Sequence, residues 1–154
     1  MIKSLQIFAL SFILISFLLP SHAGIFNKNG IKESKVVKKG SNKLLLVEIY
    51  ASWCPSCKNI QPTLDEIMKE IPDIELIQLD VSTPSKAKIA EKKATDLNIG
   101  NFYQANKSKT ATVAVIIPFK NDVVTIFQNN NNVDDYKTAI QEAKTKQKAL
   151  DSEK

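Results

Sequence analysis

The run Leu44-Leu45-Leu46-Val47-Glu48-Ile49-Tyr50 is apolar at successive positions with one charge inside it. A continuous run of this length, rather than an alternating one, marks a strand covered on both faces. A central strand is expected over Lys43 to Tyr50. The period then changes: Ile60, Leu64, Ile67, Met68 and Ile71 recur at spacings of three and four, one face of a helix from Cys54 to Ile71. Pro62 lies within that pattern and should kink the helix, because it lacks an N–H and crowds the preceding turn; Pro72 should end it. Ile74 to Val81 is a second apolar strand. Ser82-Thr83-Pro84 then turns the chain, and Ser85 is expected to cap a lysine-rich helix reaching about Leu97. Asn98 to Lys109 reads as irregular or as a short helix around Phe102 and Tyr103. Thr112 to Ile117 and Val123 to Phe127 form a hairpin with Lys120-Asn121-Asp122 in its turn. Asn129 to Asn132 is a loop, Asp134 to about Lys148 a closing helix carrying Tyr136, Ile140 and Ala143 on one face, and residues 149–154 a charged tail expected to fray. The order β-α-β-α-β-β-α predicts an α/β domain over residues 43–148, its first two strands parallel and its last two antiparallel.

Upstream the pattern is different. Lys3 is followed by a stretch from Leu5 to Leu19 that is apolar except for Gln6, Ser11 and Ser16; Pro20 breaks it, and Ser21-His22-Ala23 precedes Gly24 as a small-x-small cleavage site. Residues 1–23 therefore read as a signal peptide, with an uncleaved anchor as the rival. The stretch is short against the roughly 20 residues of a full span. Residues 24–42 form a lysine-rich leader, with a short helix expected near Ile31 to Val37. Both readings of the N-terminus place the domain outside the cytoplasm, most simply in a bacterial periplasm, where disulfides persist. Membrane contact is expected only if the segment stays uncleaved.

Composition narrows the chemistry. The net charge is +5, and every one of the 21 basic residues is lysine. Without arginine, bidentate recognition of bases and phosphates is missing, and no nucleic-acid partner is expected. The only histidine is His22, within the segment expected to be removed. Cys-His and Ser-His catalysis and imidazole ligation of a metal would then be unavailable.

What remains is Trp53-Cys54-Pro55-Ser56-Cys57-Lys58, which holds the only two cysteines. Two residues apart at the start of a helix, the thiols fall within one turn and can close a small disulfide ring. The first lies where unpaired backbone N–H groups and the helix dipole favour thiolate. Glu48, six residues before Cys54, sits in the apolar strand. If it is buried, its pKa should rise toward neutrality, and it could take a proton from a thiol; the alternative places it on an exposed strand face.

Leu46 to Lys58, with Pro62 eight residues after Cys54, resembles the thioredoxin-like family of thiol–disulfide oxidoreductases, over roughly Lys43 to Lys148. The resemblance implies a thioredoxin-like fold with a central mixed four-stranded sheet flanked by helices. It implies Cys54 as an exposed attacking thiol, Cys57 as the shielded resolving thiol, a Cys54–Cys57 disulfide, and Glu48 as the proton relay. Trp53 resembles the aromatic residue beside the site, with a core role as the alternative, and Pro55 and Ser56 flank the thiols. Substrates would be protein cysteines or disulfides, no cofactor or metal would be required, and a membrane protein would donate or accept the electrons. Glu48 and a likeness to cytochrome c maturation thioredoxins favour the reductant direction. One departure stands out. Where the family has a cis-proline before the third strand, this chain has Ala111, and a cis bond before alanine costs roughly 2.5–4 kcal/mol. Docking in the family manner and exclusion of metals are both put in question, so a copper or zinc carrier and a redox-inert binding module stay open as alternatives. A lysine-ligated haem-attachment motif has only the cysteine spacing in its favour.

Overall fold

The computed structural model describes residues 43–153. The expected signal peptide 1–23, with His22, and the leader 24–42 lie outside the described residues. Four strands form one sheet: β1 (Leu45–Tyr50), β2 (Glu75–Asp80), β3 (Thr112–Ile117) and β4 (Asp122–Gln128). Their order is β2-β1-β3-β4, with β1 parallel to β2 and antiparallel to β3, and β4 antiparallel to β3. Helix α1 (Pro55–Glu70) connects β1 to β2, α2 (Pro84–Asp96) and α3 (Gly100–Asn106) lead to β3, and α4 (Val133–Ser152) closes the chain. This is the mixed four-stranded thioredoxin-like architecture.

The continuous apolar runs are explained by the position of β1 and β3 in the middle of the sheet. Successive side chains of a strand point to opposite faces. Leu44 and Leu46 go one way with Val113, Val115 and Ile117, against Ile60, Leu64 and Ile67 of α1 and Tyr136, Ile140 and Ala143 of α4. Leu45, Val47 and Ile49 go the other way with Ile77, Leu79, Ala114 and Ile116, against Ala90 and Ala94 of α2 and Phe102 and Tyr103 of α3. Each fully buried Leu or Ile contributes about 1.5–3 kcal/mol relative to exposure, so these two layers dominate the fold's stability.

Three boundaries differ from expectation, each for a local reason, and of the two readings left open for 98–109 the short helix is the one observed. The cap of α2 is Thr83 rather than Ser85: the Thr83 hydroxyl accepts the Lys86 N–H at 3.3 Å, and Pro84, which has no N–H to satisfy, takes the first helical position. The segment 98–109 contains a defined helix, α3, because Phe102 and Tyr103 are buried and the Tyr103 hydroxyl donates to Ala87 O on α2 at 2.8 Å. The hairpin turn begins earlier, as a 3-10 turn over Pro118–Lys120, and Asn121 leaves it at φ 49°, a left-handed position that asparagine tolerates. Helix α4 runs to Ser152, past the Lys148 expected, so residues 149–152 are helical rather than a frayed tail. Asn132, the last residue of the four-asparagine loop, caps that helix by accepting the Asp134 N–H at 3.0 Å.

Candidate active site

The site grows from the junction of β1 and α1. After Tyr50 the chain turns, with the Cys54 N–H donating to Ala51 O at 3.1 Å. Cys54 has extended backbone (φ −86°, ψ 113°) and is the N-cap of α1; its sulfur accepts the Cys57 N–H at 3.1 Å. A thiol in a position normally held by Ser, Asp or Asn satisfies one of the orphan donors of the helix start. Pro55, at the first helical position, is exposed and has no donor to lose; Ser56 is half-buried. One turn on, Cys57 is fully buried, its sulfur 3.9 Å from Ile49 O. Both cysteines are free thiols.

The two thiols are electrostatically unequal. Burial alone would raise Cys54, but hydrogen bonds from the Cys57 thiol, the Thr110 hydroxyl and the backbone N–H groups of Cys57 and Ser56 outweigh it and hold Cys54 below the usual thiol range. Cys57 is pushed up to about 12, by burial first and then by its hydrogen bond to the Cys54 sulfur, with the negative charges of Cys54 and Glu48 adding to the rise. The expected exposed attacking thiol is corrected in degree: Cys54 keeps 4% of its surface and Cys57 none.

Glu48 shares the strand face of Leu46 and Tyr50, toward α1 and α4, and is 0% exposed, which removes the exposed-face alternative. Burial drives its pKa up, partly offset by the hydrogen bond from Gln78 and by the nearby Cys57 thiol. Gln78, its registered neighbour on β2, donates to Glu48 Oε2 at 2.9 Å. Glu48 Oε1 is buried with no aligned hydrogen-bond donor. Tyr136 of α4 feels the same carboxyl: burial first, then the negative charges of Glu48 and Asp135, raise its phenol well above the ordinary range.

Trp53 is 62% exposed, so its core alternative falls. Its indole N–H donates to Ser82 O at 3.1 Å, and Ser52 N–H donates to Ser82 Oγ at 2.8 Å. Ser82 is held by Asp80, which pairs with Lys86 at 2.8 Å. The exposed ring is thus tethered beside Cys54 rather than loose.

Ala111 belongs to the same buried cluster as Cys54 and Cys57, fully buried at φ 61°. Its N–H donates to Ile49 O and its carbonyl accepts the Asn129 N–H, both at 2.9 Å. Proline is locked near φ −65° and has no N–H, so this backbone cannot accept one. Alanine here belongs to a different loop geometry. The sequence reading missed Thr110, Gln78 and Ser82. Gln78 carried a faint signal, a lone amide in the apolar run of β2; Thr110 and Ser82 carried none, because their roles depend on loops that only folding brings to the cysteines.

Among the described residues, no group of three or more His, Cys, Asp or Glu side chains is placed to hold a metal ion. A metal at this site would have the two cysteine sulfurs to rely on.

The thioredoxin family profile matches residues 31–96. The chain is 37% identical over 62 residues to thioredoxin H8 of Arabidopsis thaliana, covering 40% of this chain and 42% of that protein. It is 30% identical over 83 residues to a thioredoxin of Geodia cydonium, covering 54% of this chain and 77% of the relative. It is 32% identical over 72 residues to the mitochondrial thioredoxin-3 of Saccharomyces cerevisiae, covering 46% and 56%. Among solved structures it is similar to Fasciola hepatica thioredoxin, at 24% identity and a TM-score of 0.46 over 66% of this chain and 82% of that one. With the profile match spanning strand β1, both cysteines and helix α1, and with the Geodia relative covered over most of its length, the chain belongs to the thioredoxin family.

Proposed function

We propose that the protein is a thiol–disulfide oxidoreductase that exchanges the Cys54–Cys57 dithiol with disulfides of protein substrates. The observation that carries this is the inequality of the two thiols: one is held low at a helix N-cap, the other held high one turn further in. Cys54 is then the attacking thiolate and Cys57 a reserve thiol that reacts only when needed.

In the reductive direction, Cys54 thiolate attacks one sulfur of the substrate disulfide. A Cys54–substrate disulfide forms, the substrate S–S bond breaks, and the first substrate sulfur leaves as thiolate. Cys57 then passes its proton to the Glu48 carboxylate and attacks the Cys54 sulfur. The Cys54–Cys57 bond forms, the mixed disulfide breaks, and the second substrate sulfur leaves with the electron pair. The substrate gains two electrons and the protein ends as the internal disulfide. A buried carboxyl with a raised pKa suits this, because it is a stronger base than an ordinary carboxylate. Trp53, exposed and tethered, offers an apolar face for substrate beside Cys54.

The reductant direction is favoured by Glu48 and by the likeness to extracytoplasmic maturation thioredoxins. Placement outside the cytoplasm, in a periplasm, rests on the signal-like pattern of residues 1–23. A reductant there needs a membrane electron donor to regenerate its dithiol.

The test is equilibration of the purified protein against glutathione buffers, reading the Cys54–Cys57 state by alkylation and mass. A potential near −270 mV is the reductant outcome, and one near −120 mV would reverse the direction. Failure to form the Cys54–Cys57 disulfide at any ratio would remove exchange altogether. A Cys57→Ser variant should accumulate mixed disulfides with substrate proteins; a Cys54→Ser variant should not.

A further inference from the structure

The loop that brings Thr110 to Cys54 has its backbone acceptors already engaged. A main-chain carbonyl can only accept, so each needs a donor from somewhere. The Ala111 carbonyl accepts the Asn129 N–H, and the Thr110 carbonyl accepts from Gln128 Nε2, both at 2.9 Å. Gln128 reaches this loop because β4 sets it opposite Thr112 in register. Since Thr110 O cannot donate, the amide must present its nitrogen there, and its Oε1 then faces the Thr112 hydroxyl at 2.7 Å. Thr112 is 1% exposed, and its hydroxyl also lies 2.7 Å from Lys109 O, so the oxygen end of the amide is anchored in the sheet. Gln128 itself is exposed. Its side chain thus lies across the edge of the loop beside the attacking thiol, where the N–H of a neighbouring backbone would otherwise bond.

We propose that Gln128 is a specificity-determining residue: its amide occupies the Thr110 carbonyl and selects against disulfides carried on an extended chain that would dock by pairing its backbone with this loop. The inference rests on the exchange chemistry proposed above and narrows its substrates. A chain that docks as an added strand draws its affinity from main-chain hydrogen bonds, its N–H groups meeting carbonyls along the edge. Here the Thr110 carbonyl is already bonded, and an incoming N–H gains nothing from it unless Gln128 is displaced. Displacement breaks two contacts, one of them to the buried Thr112 hydroxyl, in order to make one. The favoured substrates are therefore disulfides that reach Cys54 without backbone pairing, at chain ends or in turns. Exposed Trp53 offers them an apolar contact that needs no main-chain partner.

The probes are two short peptides, each with a single cysteine held as a mixed disulfide with thionitrobenzoate. They are identical except that in one the residues flanking the cysteine are N-methylated, which removes the N–H groups that Thr110 O would accept. Attack by Cys54 on the peptide sulfur releases coloured thionitrobenzoate, giving a second-order rate constant for the reduced full chain with each peptide. The readout is the ratio of the two constants, unmethylated over methylated, in wild type and in two variants. Gln128→Ala removes the amide; Gln128→Glu keeps the side-chain length but has no donor for Thr110 O. The ratio cancels any change in the Cys54 thiol, and comparing it between proteins cancels the effect of methylation on the peptide itself. Both variants should raise the ratio about three- to tenfold over wild type, as one main-chain hydrogen bond is gained. An unchanged ratio in both overturns the proposal, because substrate then does not seek Thr110 O. A rise in one variant alone also overturns it: in Gln128→Ala it would report the bulk of the side chain, and in Gln128→Glu the new charge. If neither peptide reacts with wild type, the exchange reading fails and the specificity with it. Reaction with both peptides and an unmoved ratio removes the specificity alone.

Discussion

Cys54 and Cys57 differ in reactivity because of what each touches. Cys54 collects hydrogen bonds at a helix start, whereas Cys57 is enclosed beside a buried carboxyl. Iodoacetamide near neutral pH should therefore label Cys54 alone, with Cys57 refractory until far above pH 9, as peptide mass mapping will show. Thr110→Val, which removes one donor to the Cys54 sulfur, should move the Cys54 labelling midpoint upward; an unchanged midpoint would rule out Thr110 as a contributor. Glu48 gives a prediction of opposite sign. Its folded pKa lies above an unfolded value of roughly 4.3, so between the two the folded state holds a proton that the unfolded state has released. Stability accordingly falls as pH rises from the unfolded value to the folded one, and stays lower above it. Glu48→Gln should be more stable than wild type by about 1–2 kcal/mol at neutral pH, with the gap closing near pH 4 in urea unfolding. A gap independent of pH would mean that the carboxyl titrates as it does in the unfolded chain.

At the level of elements, the loop before β3 holds Ala111 where the thioredoxin resemblance implies a proline. Ala111 takes a left-handed backbone, and its N–H and carbonyl are both used in the sheet. Ala111→Gly should stabilise by up to about 1 kcal/mol if relief of the left-handed strain outweighs the added freedom of the unfolded chain. Ala111→Pro, which supplies the residue that the resemblance implies, should instead destabilise by about 3 kcal/mol or more, since it loses the bond to Ile49 O and cannot reach φ 61°. Thermal melts of both variants check the pair. A proline variant as stable as wild type would show that the loop can switch to the family geometry. The other elements were legible because their signals are local. The helical period of Ile60, Leu64 and Ile67 and the unbroken runs in β1 and β3 state their burial directly. The cap of α2 was misplaced by two residues because Thr83, Pro84 and Ser85 offer overlapping capping chemistry.

At the scale of the whole described domain, two apolar layers on either side of one sheet hold the fold, while the ion pairs described for it sit at the rim. Lys137–Glu70 (2.5 Å) and Lys144–Asp73 (2.8 Å) link α4 to α1 and to the turn after it, and both are partly exposed. Such pairs are worth about 0–1 kcal/mol and are screened by salt. Adding 1 M NaCl should lower the melting temperature by only a few degrees, whereas Leu64→Ala in the core should cost about 2–5 kcal/mol. A large loss on adding salt would give the rim a weight that its exposure does not support. By itself, the sequence determined the order of elements, the α/β class, the strand–Cys-x-x-Cys–helix junction and the two thiols, because hydrophobic period and cysteine spacing are properties of neighbouring residues. Only the tertiary structure decided that Glu48 is buried with one oxygen unpaired, that Gln78 holds the other, that Thr110 reaches Cys54, and that Ala111 occupies a backbone closed to proline. Those depend on strand register and loop closure between residues up to about sixty positions apart, and no local pattern records them.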